Sequence, residues 1–187
     1  PHRLEDTCDY VNFPGDDRQV IYGERHFVGY RWYDELVLDV AYPFGHGLTY
    51  STFEYSNLEV STEGNQVTVS FDLANTGDRD ASEVAQVYFS KPDSAFSRAP
   101  FELRSFAKVF LEAGEQTRVD LVVGEEDMEH YSAASEAWMI EGGAYQVTVG
   151  ASVRDARLHG EFSIPGNEPP VTLKMNRADR KSGSAGM

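Results

Sequence analysis

Apolar and polar positions alternate in short runs from residue 53 to residue 164. In "VTVSFDL", Val67, Val69, Phe71 and Leu73 fall on one face and Thr68, Ser70 and Asp72 on the other. That is the period of two expected of a strand with one buried face. "RVDLVV" repeats it with Val119, Leu121 and Val123, "YQVTV" with Tyr145, Val147 and Val149, and "LHGEFSI" with Leu158, Phe162 and Ile164. "VAQVYFS" and "FAKVFL" are apolar on both faces, which predicts inner strands. Phe71, Val87, Phe110, Val119 and Val147 are the predicted core. Turn signals ("EGNQ", "NTGDRD", "EAGEQ", "EGGAY", "VRDAR") separate the runs. No long helical period competes, so the pattern predicts an all-β sandwich of roughly 100 residues.

The flanks read differently. Residues 1 to about 50 mix aromatics, glycines and charges with little periodicity. They end in "YPFGHGLTYSTFEYSNLEV" (42–60), where a loop carrying Pro43, Gly45 and Gly47 runs straight into a strand. Such a loop reads as the end of one structural unit and the entrance to another. Residues 166–187 hold prolines, then small and charged residues without a core pattern, and are expected to form a flexible tail.

Charge and composition narrow the partners. A formal net charge of -15 sets the chain against phosphate backbones, so nucleic acid is not an expected partner. No apolar run approaches the roughly 18 residues of a membrane helix, and no membrane partner is expected. The opening "PHRLEDTCDY" is polar, lacks a starting Met and has no signal-peptide pattern; the chain is expected to be cut from a longer one. Cys8 is the single cysteine, which excludes an intrachain disulfide and a cysteine-based zinc site. The localisation stays open.

Candidate chemistry is sparse. His46, between Gly45 and Gly47, suits packing or a backbone hydrogen bond better than metal binding, because no His/Asp/Glu cluster has ligand spacing. "GHG" lacks the spacing of a phosphate or dinucleotide loop. Asp34-Glu35 and Glu125-Glu126-Asp127 supply neighbouring carboxylates, but in so acidic a chain these read as a solvated face. No Ser or Cys stands in a nucleophile-elbow context. Trp32, Trp138, Tyr131 and Tyr10 are residue types that stack on sugar rings, and equally types that fill cores and interfaces. Tyr145, after two glycines, is either an ordinary core residue or one whose hydroxyl bonds back to nearby backbone. No catalytic, cofactor-binding or metal-binding residue is assigned.

Several longer stretches carry a resemblance. "FVGYRWYD" (27–34) followed by "YPFGHGLTYSTFEYSNLEV", then "EVAQVYFSKPDSAFSRAPFELRSFAKVFLEAGEQTRVDLVV" and "GGAYQVTVGASVRDARLHGEFSI", resemble in order the C-terminal part of family 3 glycoside hydrolases, the β-glucosidase family. The resemblance runs from about residue 4 to 164. It implies an immunoglobulin/fibronectin type III-like sandwich over residues 51–165, preceded in residues 1–50 by a remnant of the family's α/β domain and the junction loop. In one departure, "RAPFELRSF" puts Phe101 where the family commonly has a basic residue. The family's aspartate nucleophile and glutamate acid/base lie upstream of the matching region, and no residue here aligns with its Ser-Asp-Trp nucleophile motif. The resemblance therefore implies an accessory portion of a retaining hydrolase, inactive by itself, which needs no cofactor. Its implied partners are the catalytic domains, through which any β-glucoside substrate is met. The alternative is a stand-alone carbohydrate-binding or adhesive sandwich.

Overall fold

The structure is a computed structural model that describes residues 1–10, 12–132 and 135–167. Nine strands follow in chain order among these: β1 (Phe53–Glu63), β2 (Gln66–Asn75), β3 (Ala81–Ser90), β4 (Glu102–Leu111), β5 (Gln116–Val123), β6 (His130–Ser132), β7 (Ala137–Met139), β8 (Gly143–Ser152) and β9 (Asp155–Ile164). A three-stranded sheet, β1-β2-β5, faces a four-stranded sheet, β4-β3-β8-β9, and β6 and β7 form a separate hairpin. All neighbouring strands in these sheets pair antiparallel. The chain crosses between sheets after β2 and after β4, and crosses back to β8 by way of the hairpin. This is the expected all-β, fibronectin type III-like sandwich.

The core follows from the alternation. Val67, Val69, Phe71 and Leu73 of β2 are fully enclosed, as are Val87, Val147 and Val149 from the opposite sheet. Tyr55 stacks on Phe71, and Phe162 packs between Phe89 and Tyr145. Asn75 is a buried polar pin: its amide donates to the carbonyls of Arg79 and Leu111, and its Oδ1 accepts from Ser51. That side chain ties the β2–β3 turn to the entry of β1.

The Tyr145 hydroxyl donates to the carbonyl of Glu141, four residues upstream, at 2.6 Å. Burial pushes this hydroxyl up to about 12, so it remains a donor throughout the physiological range. Of the two readings open for Tyr145, the backbone bond is the one found.

One strand departs from expectation. "FAKVFL" is not an inner strand: β4 pairs with β3 alone and forms the sheet's edge. Ala107, Val109 and Leu111 turn toward the core, which sends Phe106 and Phe110 outward, 63% and 62% exposed. Phe110 is therefore not a core residue. Apolar side chains on both faces of β4 hid from periodicity which face is inside. The other four predicted core residues are buried.

Two short helices also escaped the pattern: α1 (Tyr30–Glu35) and α2 (Glu125–Met128). Each is too short to show a 3.6-residue period. Gly166 and Asn167, assigned by sequence to the tail, bond back to Asn65 and Ile140. The rest of the expected tail, 168–187, lies outside the described residues.

Candidate domain interface

The outer face of the four-stranded sheet is where residues 27–47 sit. Gln86 and Tyr88 on β3 point away from the core, yet both are buried, because this arm covers them. Tyr30 of α1 meets Tyr88 edge-on at 6.3 Å and stacks on Phe44 at 4.6 Å. Its hydroxyl accepts from the backbone N–H of Leu103 at the start of β4.

Gln86 is the hub of this contact. Its Nε2 donates to the carbonyls of Gly45 (3.2 Å) and Ala151 (2.8 Å), and its Oε1 accepts from the Tyr88 hydroxyl (2.5 Å). Junction loop, β8 and β3 are thus joined through one buried amide. Gly45 must be glycine for two reasons: its φ is +80°, and a Cβ there would lie 2.0 Å from Gln86 Oε1. The second glycine of "GHG" is under neither constraint, as nothing lies within 4 Å of a Cβ at Gly47.

A second clamp comes from the β8–β9 turn. Arg154 Nε pairs with Asp34 Oδ1 at 2.7 Å, and its Nη2 donates to the carbonyl of Leu38 at 2.8 Å. Beside it, the N–H of Val153 donates to the carbonyl of Phe44. Asp34 is thus no solvated acid. Its side chain is 7% exposed and serves as the arm's anchor, while Glu35 is exposed. The Glu125-Glu126-Asp127 run is surface, as read: it opens α2, where Asp127 accepts from the N–H of Gly124.

A cleft of about 480 Å³ separates Glu35 from the β3–β4 loop and is lined by Lys91, Phe96, Arg98 and Phe101. Phe101, the departure from the family pattern, therefore borders open space beside α1. Behind this loop lies a charge network. Arg98 bonds Glu141 (3.2 Å) and Glu102 (3.3 Å), and Arg104 also reaches Glu102. Burial alone would raise the Glu141 carboxyl. Bonds from the N–H of Ala95 and the Ser94 hydroxyl, with the charges of Arg98 and Lys91, hold it below the usual range. The arrangement fixes a loop; it does not set two carboxylates across a cleft.

The remaining candidates are scattered. His46 stacks on Tyr42 at 5.3 Å, and its N–H donates to the carbonyl of Pro43, both local packing roles. Trp32 is held in the arm by an indole bond to the carbonyl of Asp6. Tyr10 is on the first segment, while Tyr131 and Trp138 meet edge-to-face on the β6–β7 hairpin. The four do not line one platform. Among the described residues no three His, Cys, Asp or Glu side chains converge to hold a metal ion. No described helix is long and apolar enough to cross a membrane.

Away from the sheet the arm is bare. Ile21, Tyr22, Val37 and Tyr42 are exposed, and Leu48 and Tyr50 reach 95% and 91%. Sequence reasoning marked residues 1–50 as mixing aromatics, glycines and charges but missed Gln86 and Arg154, which hold the arm. The available signals were a lone amide inside the apolar run "VAQVYFS" and an arginine in the turn "VRDAR".

Comparison with known proteins bears on this arrangement. Residues 83–153 match the family described as the fibronectin type III-like domain. The chain is 40% identical over 166 residues to a β-glucosidase of Kluyveromyces marxianus, covering 88% of this chain and 20% of that protein. It is 40% identical over 156 residues to an exo-α-(1→6)-L-arabinopyranosidase of Bifidobacterium longum, covering 83% of this chain and 21% of that one. Among solved structures, a family 3 β-glucosidase of Bifidobacterium adolescentis superposes with a TM-score of 0.86 at 37% identity, over 94% of this chain and 26% of its own. The chain thus spans about a fifth of the length of the curated relatives it matches.

Proposed function

Because the chain belongs to the family 3 glycoside hydrolases, as their C-terminal, fibronectin type III-like part, we propose that it braces the catalytic domains of a β-glucosidase-type enzyme. Residues 1–50 are the closing segment of the α/β domain, and residues 51–165 are the sandwich on which that segment rests. The observation that carries this reading is the arm's two-sidedness. Gln86, Arg154 and Tyr30 fasten the arm to the sheet, while its Val37 and Tyr42, with Tyr22 and Tyr50 just outside it, are exposed to solvent. Exposed rings on a well-anchored segment are what an interface looks like without its partner. Hydrolysis of O-glycosyl bonds belongs to the parent, and β-glucoside reaches this chain only through it. The net charge of -15 sets the chain against nucleic acid as a partner.

The test is activity on aryl β-glucosides. The chain alone gives no turnover, because hydrolysis with retention needs two carboxyl groups about 5 Å apart. The same chain continued upstream through its coding sequence is active. Turnover by the chain alone, lost on replacing one of its own acids, overturns the reading.

One observation favours a second reading: the exposed Tyr131–Trp138 pair offers two aromatic surfaces on a hairpin of its own. A saturable titration with cellobiose, abolished by Trp138→Ala, would support an independent carbohydrate-binding module.

A further inference from the structure

The outer face of the four-stranded sheet is only half covered. The arm buries Gln86 and Tyr88. On the same face Phe106 lies directly across from Gln86, Lys108 across from Val84, and Phe110 across from Ser82. Opposed residues of an antiparallel pair share a face, so Val84, Phe106 and Phe110 continue the arm's footprint to the sheet edge. Leu48, just beyond the arm, borders one open cleft with Ser82 and Val84. Val84, Phe106 and Phe110 are all exposed, Val84 on β3 and the two phenylalanines on β4, which pairs on one side only. Lys108, exposed between the two phenylalanines, puts one charge on this strip, and the rings on either side of it remain open to association unless covered.

We propose that Val84, Phe106 and Phe110 form a docking surface for the remainder of the α/β domain to which residues 1–50 belong. This rests on the proposed function and adds to it the sandwich's own share of the contact. The occupant follows from continuity: the arm already occupies the neighbouring half of the same face. It also follows from length, because the relatives extend far beyond the fifth that this chain matches. The apolarity of β4 on both faces, which misled the strand assignment, is then accounted for. Its inner face packs the sandwich and its outer face packs the neighbouring domain.

Hydroxyl-radical footprinting with mass spectrometry tests this on two proteins, the present chain and the chain continued upstream through its coding sequence. In the present chain Phe106 and Phe110 label as readily as Trp138. In the longer protein both fall to the level of the enclosed Phe71, while Trp138 stays labelled. If Tyr50 and Leu48 become protected but Phe106 and Phe110 do not, the docking surface is refuted and the proposed function survives. If nothing is protected, both fall. Protection of Phe106 and Phe110 in the present chain by self-association, scaling with concentration in sedimentation, also refutes the proposal. As a second measurement, F106S/F110S leaves the melting temperature of the present chain unchanged. The same substitutions lower the melting temperature of the longer protein, in which the surface is covered. An unchanged melting temperature of the longer protein overturns the proposal.

Discussion

Replacing Gly45 by alanine tests the junction at its tightest point. Two penalties combine. A φ of +80° places an L-residue in the left-handed region, at about 1–2 kcal/mol. The new Cβ would also lie 2.0 Å from Gln86 Oε1 and 2.6 Å from its Cδ and Nε2. The far end of a glutamine is normally free to swing away. Here it is buried and bonded to Gly45, Ala151 and Tyr88, so swinging leaves polar groups without partners at about 1–3 kcal/mol. The sum is roughly 2–5 kcal/mol. The protein pays it in one of two ways. If the arm stays seated, the melting temperature falls by roughly 2–4 °C for each kcal/mol. If the arm docks less strongly than that, it lifts, and trypsin gains access after Arg25 and Arg31 while the sandwich melts as before. Calorimetry and timed proteolysis read the two routes together. Gly47→Ala is the control, with open space around its Cβ and a change within about 0.5 kcal/mol expected. A Gly45→Ala protein that matches wild type in both melting and cleavage would refute the Gln86 hub.

Three further outcomes follow from the core and its caps. Phe71→Ala should cost about 3–5 kcal/mol by denaturant unfolding, whereas Phe110→Ala should change the stability of the isolated chain by less than about 0.5 kcal/mol; equal losses would contradict the assigned facing of β4. Tyr145→Phe should cost about 1–3 kcal/mol by stranding the Glu141 carbonyl, and an unchanged midpoint would show that bond to be dispensable. Because the Glu141 carboxyl is held below its usual value of 4.5 in the fold, its contribution is present above that value and lost as pH falls through the lower, folded one. Melting temperatures from pH 7 to pH 3 should therefore fall less steeply in Glu141→Gln than in wild type, and parallel curves would speak against the network.

Most of the sandwich was legible because one face of each strand is apolar and the other is not. β2, β5 and β9 obey that rule, and their buried residues are those the alternation selects; in β8 the selected Tyr145, Val147 and Val149 are buried, but so are Thr148 and Ser152 on the other face. β4 breaks it, since Phe106 and Phe110 match Val109 and Leu111 in hydrophobicity and only the fold says which pair faces in. Asp34 was misread for a related reason. Next to Glu35 it looks like surface charge, and only the arrival of Arg154 from 120 residues away makes it an anchor. Long-range polar pairings of that kind leave no local period. Tyr145 was readable because its partner carbonyl is four residues away, within the span of a local motif.

The Arg154 clamp also sets an order in time. Asp34 and Leu38 leave the ribosome well before their partner, which lies 120 and 116 residues later in the turn joining the last two strands. Closing so long a loop is slow relative to forming the hairpins between. During synthesis the arm therefore meets β3 and β4 first, through Gln86, Tyr88 and Leu103, and waits without this clamp until β8 and the turn after it have emerged. The last hairpin acts as a latch that finishes a unit begun more than a hundred residues earlier. A stall or truncation just before residue 154 would leave the strands before β9 formed and the arm held without its clamp, a species whose looser rings favour aggregation and clearance.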